Sequence, residues 1–187
     1  MSRGLGDVYK RQVGIRPNTA FLADTGIELM PNGTVKVNEY FETNDADIYS
    51  AGDCAMVKNV LTGAPTWSPM GSSANIEGRI LAQNINGKRI AYRGVVGTAV
   101  AKLLPNLNVG RTGLTEVAAK EAGFNPISVV TVVDDKAHYY AGASNFMIKL
   151  IVDKDSLKVL GVQVMGAGAV DKVVDVVVTA MTMGATL

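Results

Sequence analysis

The sequence predicts an α/β segment followed by an α+β unit, an antiparallel sheet with helices, and three observations carry that prediction. First, the β-branched and aromatic run Ile48-Tyr49-Ser50 leads into Ala51-Gly52-Asp53, the pattern of a strand that closes in a tight turn with a carboxylate at its carboxyl edge. Open α/β sheets bind their ligands at such edges. Second, from about Gly94 the pattern changes to strands separated by short helices, which marks a separate α+β unit. Third, Val170, Val173, Val174, Val177, Val178 and Met181 recur at helical spacing, so a final helix carries one continuous apolar stripe.

Each element has its own local signal. Ile27 to Met30 and Val35 to Val37 flank Pro31-Asn32-Gly33, and Asn-Gly supplies the turn chemistry of a small hairpin. After the Asp53 turn comes a loop with Gly63, Pro65 and Pro69, then a helix from about Ser72 to Asn86 with Ile76, Ile80, Leu81 and Ile85 as its apolar stripe. Gly78 inside that helix costs about 1 kcal/mol relative to alanine and reads as a mark of tight packing. Thr115 to Ala122 is a short helix with Thr115 as N-cap and Gly123 as its stop. Ile127 to Val133 reads as a buried strand, and Phe146 to Val152 with Leu157 to Met165 as an antiparallel hairpin around Asp153-Lys154-Asp155-Ser156. The last helix starts after Gly166-Ala167-Gly168. Its valines are mediocre helix formers, so its stability must come from packing. Val176 lies off the stripe, either as a single exposed valine or as part of a second contact surface.

Composition excludes several function classes. The 187 residues, 48% of them hydrophobic, support a buried core. Eighteen basic against seventeen acidic residues leave almost no net charge, and no basic cluster interleaved with aromatics occurs, so nucleic acid is not an expected partner. One cysteine forbids an internal disulfide, and with one histidine it cannot build a closed zinc site, so no metal is expected. A reducing, cytoplasmic setting is the expectation. No apolar run approaches the roughly 20 residues that cross a bilayer, so no membrane association is expected.

Two places can carry chemistry on residue type alone. At Asp53 an ionised carboxylate accepts hydrogen bonds only, which suits ribityl or ribose hydroxyls, while Gly52 lets the backbone approach a ligand; the same pair also serves simply as a turn or cap. At Pro69-Met70-Gly71 a helix begins, presenting free N–H groups and the positive end of its dipole, and Gly71 and Ala74 permit close approach. The competing reading is that Ser72 or Ser73 merely caps a structural helix. Cys54 reads as a buried small hydrophobe. His138, the single histidine, reads as an exposed loop residue.

Ile48-Tyr49-Ser50-Ala51-Gly52-Asp53 resembles the second flavin-binding motif of the pyridine nucleotide-disulfide oxidoreductases, and Val13-Gly14-Ile15-Arg16-Pro17-Asn18 resembles the segment closing their NAD(H)-binding domain. Gly71 to Arg79, Val96-Gly97-Thr98, Gly110 to Thr115 and His138 to Ala143 follow in family order. The nearest branch is the NADH oxidase and coenzyme A-disulfide reductase group. The resemblance implies FAD as cofactor, with Asp53 on its ribityl chain and the turn at Pro69, Met70, Gly71 and Ala74 at the flavin's pyrimidine edge. It implies NAD(P)H as hydride donor and a small-molecule acceptor, a disulfide such as coenzyme A disulfide or oxygen. It also implies a homodimer through residues 94–187, with Tyr140 reaching the partner's active site; Ala141 replaces the proline that follows this tyrosine in the family.

The resulting expectation is a fragment: residues 1–12 a non-native scar, 13–17 the last strand of an NAD-binding domain, 18–93 the C-terminal part of an FAD-binding domain, and 94–187 a truncated dimerisation domain. Neither Gly94-Val95-Val96-Gly97 nor Gly166-Ala167-Gly168 has dinucleotide-fingerprint spacing. The isolated chain is therefore expected neither to turn over NADH nor to hold FAD tightly. The competing reading is a non-catalytic dimerisation module.

Overall fold

The protein is described here by a computed structural model covering residues 14–187, so the expectations for residues 1–12 and Val13 lie outside the described residues. The chain forms two compact units. One comprises residues up to Lys58 with Pro65–Arg93, the other Asn59–Ala64 with Gly94–Leu187.

In the first unit, residues 14–19 have no regular secondary structure, so the expected strand through Pro17 is not formed by its described part. A strand needs a neighbour to pair its backbone groups, and none of the described residues supplies one. The predicted turn at Pro31-Asn32-Gly33 is present. Leu29 bridges Val35 antiparallel, the Asn32 side-chain oxygen accepts from Thr34 N–H and hydroxyl, and Gly33 takes φ +86°. Val35–Lys36 (β1) pairs parallel with Ala55–Lys58 (β2), and β2 pairs antiparallel with Pro65–Thr66 (β3).

The strand expected over Ile48 to Ser50 is reduced to one bridge, Tyr49 to Glu42. Phe41 adopts φ +68° and accepts from Ser50 N–H, so the chain bends where a ladder would continue. Asp53 therefore sits in a single 3-10 turn, Gly52–Cys54, ahead of β2 rather than at the carboxyl end of a strand. The helix α1, Gly71–Ile85, lies within one residue of its predicted bounds. Its buried residue is Glu77; Ile76 and Ile85 of the predicted stripe are 50% and 61% exposed. The inward face is the row Ala74, Glu77, Leu81 and Asn84, with Asn84 bridging to the Tyr40 and Ile90 carbonyls. A Cβ on Gly78 would meet nothing within 4 Å, so this glycine does not mark tight packing.

The second unit is built on an antiparallel five-stranded sheet. Its strands are Ala99–Leu104 (β4), Leu107–Gly113 (β5), Pro126–Asp134 (β6), Asn145–Asp153 (β7) and Val159–Gly166 (β8), ordered β4-β5-β8-β7-β6. The β7–β8 hairpin is the predicted one, and its turn is tied down by the Asp153 carboxylate, which accepts from Ser156 N–H and hydroxyl and from Asn125 N–H. Glu116–Glu121 (α2) begins as expected, with the Thr115 hydroxyl accepting from Ala118 N–H at 3.1 Å. Leu114, Ala119, Ile151 and Leu160 form one core cluster there.

The final helix α3, Val170–Thr182, covers the opposite sheet face, where Val170 and Val174 join Phe146 and Val164 in a second core cluster. Full burial of such a valine stabilises by about 1.5–3 kcal/mol, which compensates for its weak helix propensity. The helix approaches closely because β5 presents Gly110 and Gly113 beneath it. A Cβ at Gly110 would stand 2.7 Å from a Val174 methyl. Val176 points to solvent, 70% exposed. The expectation of a buried strand at Ile127–Val133 is corrected: β6 forms, but at the sheet edge, with Val129 63% and Val130 58% exposed. A β-branched run specifies extended backbone, whereas coverage depends on neighbours, and β6 has only β7 beside it.

Candidate functional site

The first unit brings together the two segments that residue chemistry singled out. The 3-10 turn holding Gly52 and Asp53 packs on the first turns of α1. Gly52 has φ +76°, in the left-handed region that glycine occupies without cost, and a Cβ there would lie 3.3 Å from the Ala74 Cβ. Two small residues thus allow the turn and the helix to meet. The Gly52 N–H does not face solvent; it donates to the Glu77 carboxylate at 2.7 Å.

Asp53 has the opposite disposition. Its side chain is exposed and makes no hydrogen bond or ion pair among the described residues, while its backbone carbonyl accepts from the Trp67 indole N–H at 2.9 Å. The turn is therefore fixed through its backbone and leaves the carboxylate available. At the start of α1, Met70 is the N-cap and no side chain caps the helix, so neither Ser72 nor Ser73 serves as a cap. Ser68 and Ser73 bond to each other through their hydroxyls at 3.1 Å. Ala74 N–H bonds the Met70 carbonyl, whereas the Gly71, Ser72 and Ser73 N–H groups have no acceptor among the described residues. Pro69 and the extended Met70 aim the chain into this helix start.

The arrangement offers an acceptor-only carboxylate on one side and unpaired backbone donors at the positive end of a helix dipole on the other. A ligand fitting it carries hydrogen-bond donors for the carboxylate and an acceptor or negative charge for the N–H groups. Glu77, behind the turn, was not legible as a site residue, since a glutamate in mid-helix normally marks a solvated face. Burial pushes its carboxyl above the ordinary value of 4.5, opposed by the Gly52 N–H and by the Tyr92 hydroxyl. Tyr92 in turn is pushed up to about 12 by its own burial and by the charge of Glu77. The signal that could have exposed Glu77 is its position three residues after Ala74, on the same helix face.

The remaining predicted residues lie elsewhere. Tyr140 is in a turn of the second unit, 59% exposed, its ring stacked on Tyr139 with centroids 5.0 Å apart, and it is not brought to the Asp53 turn within either unit. His138 is exposed as expected and packs edge-on against Tyr139. Cys54 is half-buried rather than buried, because it closes the 3-10 turn instead of entering β2. No helix of the described residues is long and apolar enough to cross a membrane.

Comparison with known proteins identifies the class of both parts of the chain. Residues 103–187 match the pyridine nucleotide-disulphide oxidoreductase dimerisation domain, and residues 7–75 match the pyridine nucleotide-disulphide oxidoreductase domain. The chain is 36% identical over 154 residues to the CoA-dependent NAD(P)H sulfur oxidoreductase of Pyrococcus furiosus, an alignment covering 82% of this chain and 35% of that protein. It is 31% identical to an NADH oxidase of Enterococcus faecalis, over 82% of this chain and 34% of the relative. Among solved structures, reduced CoADR-RHD of Bacillus anthracis is similar with a TM-score of 0.88 and 39% identity, covering 94% of this chain and 31% of that one. An NAD-dependent persulfide reductase from A. fulgidus gives a TM-score of 0.87 at 38% identity, over 92% and 32%. The chain spans about a third of the length of the proteins it matches. With one domain of this class matched at each end and a shared fold between them, the chain belongs to the pyridine nucleotide-disulphide oxidoreductase family.

Proposed function

We propose that the chain supplies one side of the FAD site, together with the dimerisation domain, of an NAD(P)H-dependent oxidoreductase that passes hydride through flavin to a disulfide or persulfide, such as a coenzyme A derivative, or to oxygen. The observation that carries the reading is the pairing of the free Asp53 carboxylate with the unpaired N–H groups of Gly71, Ser72 and Ser73. FAD, when bound, supplies reversible two-electron chemistry between nicotinamide and acceptor.

The protein's part is binding and electrostatics. Asp53 accepts from ribityl hydroxyls, and Gly52 and Ala74 keep the turn and the helix close enough to act on one ligand. The helix N-terminus favours negative charge at the flavin's pyrimidine edge, with Pro69 and Met70 bordering it; such fixed dipoles stabilise charge without reorganising. Tyr140 is proposed to serve a neighbouring subunit as a phenol donor, which its exposed turn permits. Self-association through residues 94–187 accounts for the apolar β6 edge, where Val129, Val130 and Val132 stand in solvent. A reducing, cytoplasmic setting is part of the same proposal.

FAD titrated at millimolar concentration into the isotopically labelled chain tests the reading. Amide shifts of residues 52–54 and 71–74 are expected to move together with weak, non-saturating affinity, to lose that response in Asp53→Ala, and to keep it in Tyr140→Phe. Shifts confined to other residues, or an unchanged response in Asp53→Ala, would sink the proposal.

A further inference from the structure

We propose that Glu77 is a positioning residue that clamps the Gly52–Asp53 turn onto α1 and so sets where the Asp53 carboxylate stands relative to the helix N-terminus. The functional consequence rests on the flavin reading; the clamp itself does not.

Glu77 is 1% exposed and is the buried residue of α1. Glutamates are almost never fully buried unless paired, and burying an uncompensated carboxyl is costly. Among the described residues no lysine or arginine lies in ion-pair reach of it. Its hydrogen-bond partner is a backbone N–H 25 residues earlier, Gly52, at 2.7 Å. If the turn needed only packing, an apolar side chain would fill this place at lower cost. A carboxyl here makes a short, directional bond to one particular N–H, the one immediately before Asp53.

Ala74 and Glu77 act at two points on one helix face. Ala74 stands against the α-carbon of Gly52, where a Cβ would come within 3.3 Å, and Glu77 holds its nitrogen. Position and orientation of the Gly52 peptide are both fixed in this way, and Asp53 follows directly. The Trp67 indole bond to the Asp53 carbonyl secures the turn from its other end. The residue after Glu77 is Gly78, open to solvent, so the clamp is confined to the inward face.

The test uses the chain with Glu77→Gln, which keeps an acceptor oxygen, and Glu77→Leu, which keeps bulk and removes it. Hydrogen exchange and the proton shift of the Gly52 amide are read first, without FAD. Glu77→Leu is expected to speed Gly52 exchange at least ~10-fold, the factor that a bond worth about 1.4 kcal/mol protects; Glu77→Gln is expected to restore most of the protection. In the unaltered chain the Gly52 amide shift is expected to titrate with the Glu77 carboxyl, faced by Asp53 and Tyr92, and in Glu77→Gln this step is expected to vanish. That titration decides the matter even if Glu77→Leu does not fold. Unchanged Gly52 exchange in Glu77→Leu, a glutamine no better than leucine, or a Gly52 shift that ignores Glu77 overturns the clamp. FAD-induced shifts at residues 52–54 are read second: their absence in the unaltered chain, with Gly52 behaving as expected, removes the flavin reading and leaves the clamp standing.

Discussion

Replacing Gly52 by alanine should loosen the candidate site by a calculable amount. Gly52 sits at φ +76°, where an L-residue pays roughly 1–2 kcal/mol for the contact of its Cβ with the following carbonyl oxygen. The new Cβ would also stand 3.3 Å from the Ala74 Cβ, so α1 must shift by a few tenths of an ångström or the turn must lift, adding a few tenths of a kcal/mol at most, on the order of the small contact energies involved. A loss of about 1–2 kcal/mol follows, a five- to thirtyfold change in the folded ratio. Gly78→Ala is the matched control of opposite sign. Gly78 has no positive φ and nothing within 4 Å of a would-be Cβ, so alanine there should add about 0.5–1 kcal/mol by lowering the entropic cost of the helix. Urea unfolding followed by Trp67 fluorescence reads the relevant unit, since this is the single tryptophan and its indole bonds the Asp53 carbonyl. The two variants should bracket the unaltered chain with unchanged m-values. A Gly52→Ala chain as stable as the parent, or a Gly78→Ala chain less stable, would refute the assignment of these two glycines.

Two further outcomes follow from packing and charge. Gly110→Ala should destabilise the second unit by about 1–3 kcal/mol, because its Cβ would come 2.7 Å from Val174 Cγ2 in a filled core; Val174→Ala introduced alongside should recover part of that loss, read by thermal unfolding of the double-mutant cycle. The pH dependence of stability should carry an unusual component from Glu77: its carboxyl is raised on folding above the ordinary 4.5, so the stability it confers is complete below that value and is lost as pH rises through the folded value. Glu116 works in the other direction, held down to about 2 by Lys149, Ser128 and Lys120, its share present above 4.5 and lost as pH falls toward 2. Comparing the unfolding free energy of Glu77→Gln with the parent across pH isolates the first component, and parallel pH profiles would contradict it.

The sequence made the second unit legible because its signals are local and redundant. The α3 stripe, the Thr115 cap and the Asp153–Ser156 turn each combine periodicity with specific hydrogen-bonding residues, and all three form as read. The misreadings share a cause. Ile48–Ser50 has strand composition, but a strand is a property of a pair, and only Tyr49 finds a bridge partner. Ile127–Val133 has the composition of a buried strand, yet burial belongs to whatever lies against it, and β6 stands at the sheet edge. The α1 stripe fails in the same way. Hydrophobicity selects Ile76 and Ile85, while the face that meets the Gly52 turn is chosen by small size and hydrogen bonding, through Ala74 and Glu77.

The site itself was half legible for a chemical reason. Asp53 and Glu77 are both carboxylates beside Gly52, and nothing in residue type separates their roles. Burial separates them. Glu77, enclosed, spends its hydrogen-bonding capacity on the Gly52 N–H and so belongs to the scaffold. Asp53, exposed and without a side-chain partner among the described residues, leaves that capacity unspent. A motif can point to the second because it lies in one short contiguous segment; the first emerges only when the helix is folded against that turn. An aspartate whose carboxylate is free while its backbone is held at the Gly52 nitrogen on one side and the Asp53 carbonyl on the other is arranged to present charge at a fixed point, which is what a binding residue requires and a simple turn-former does not.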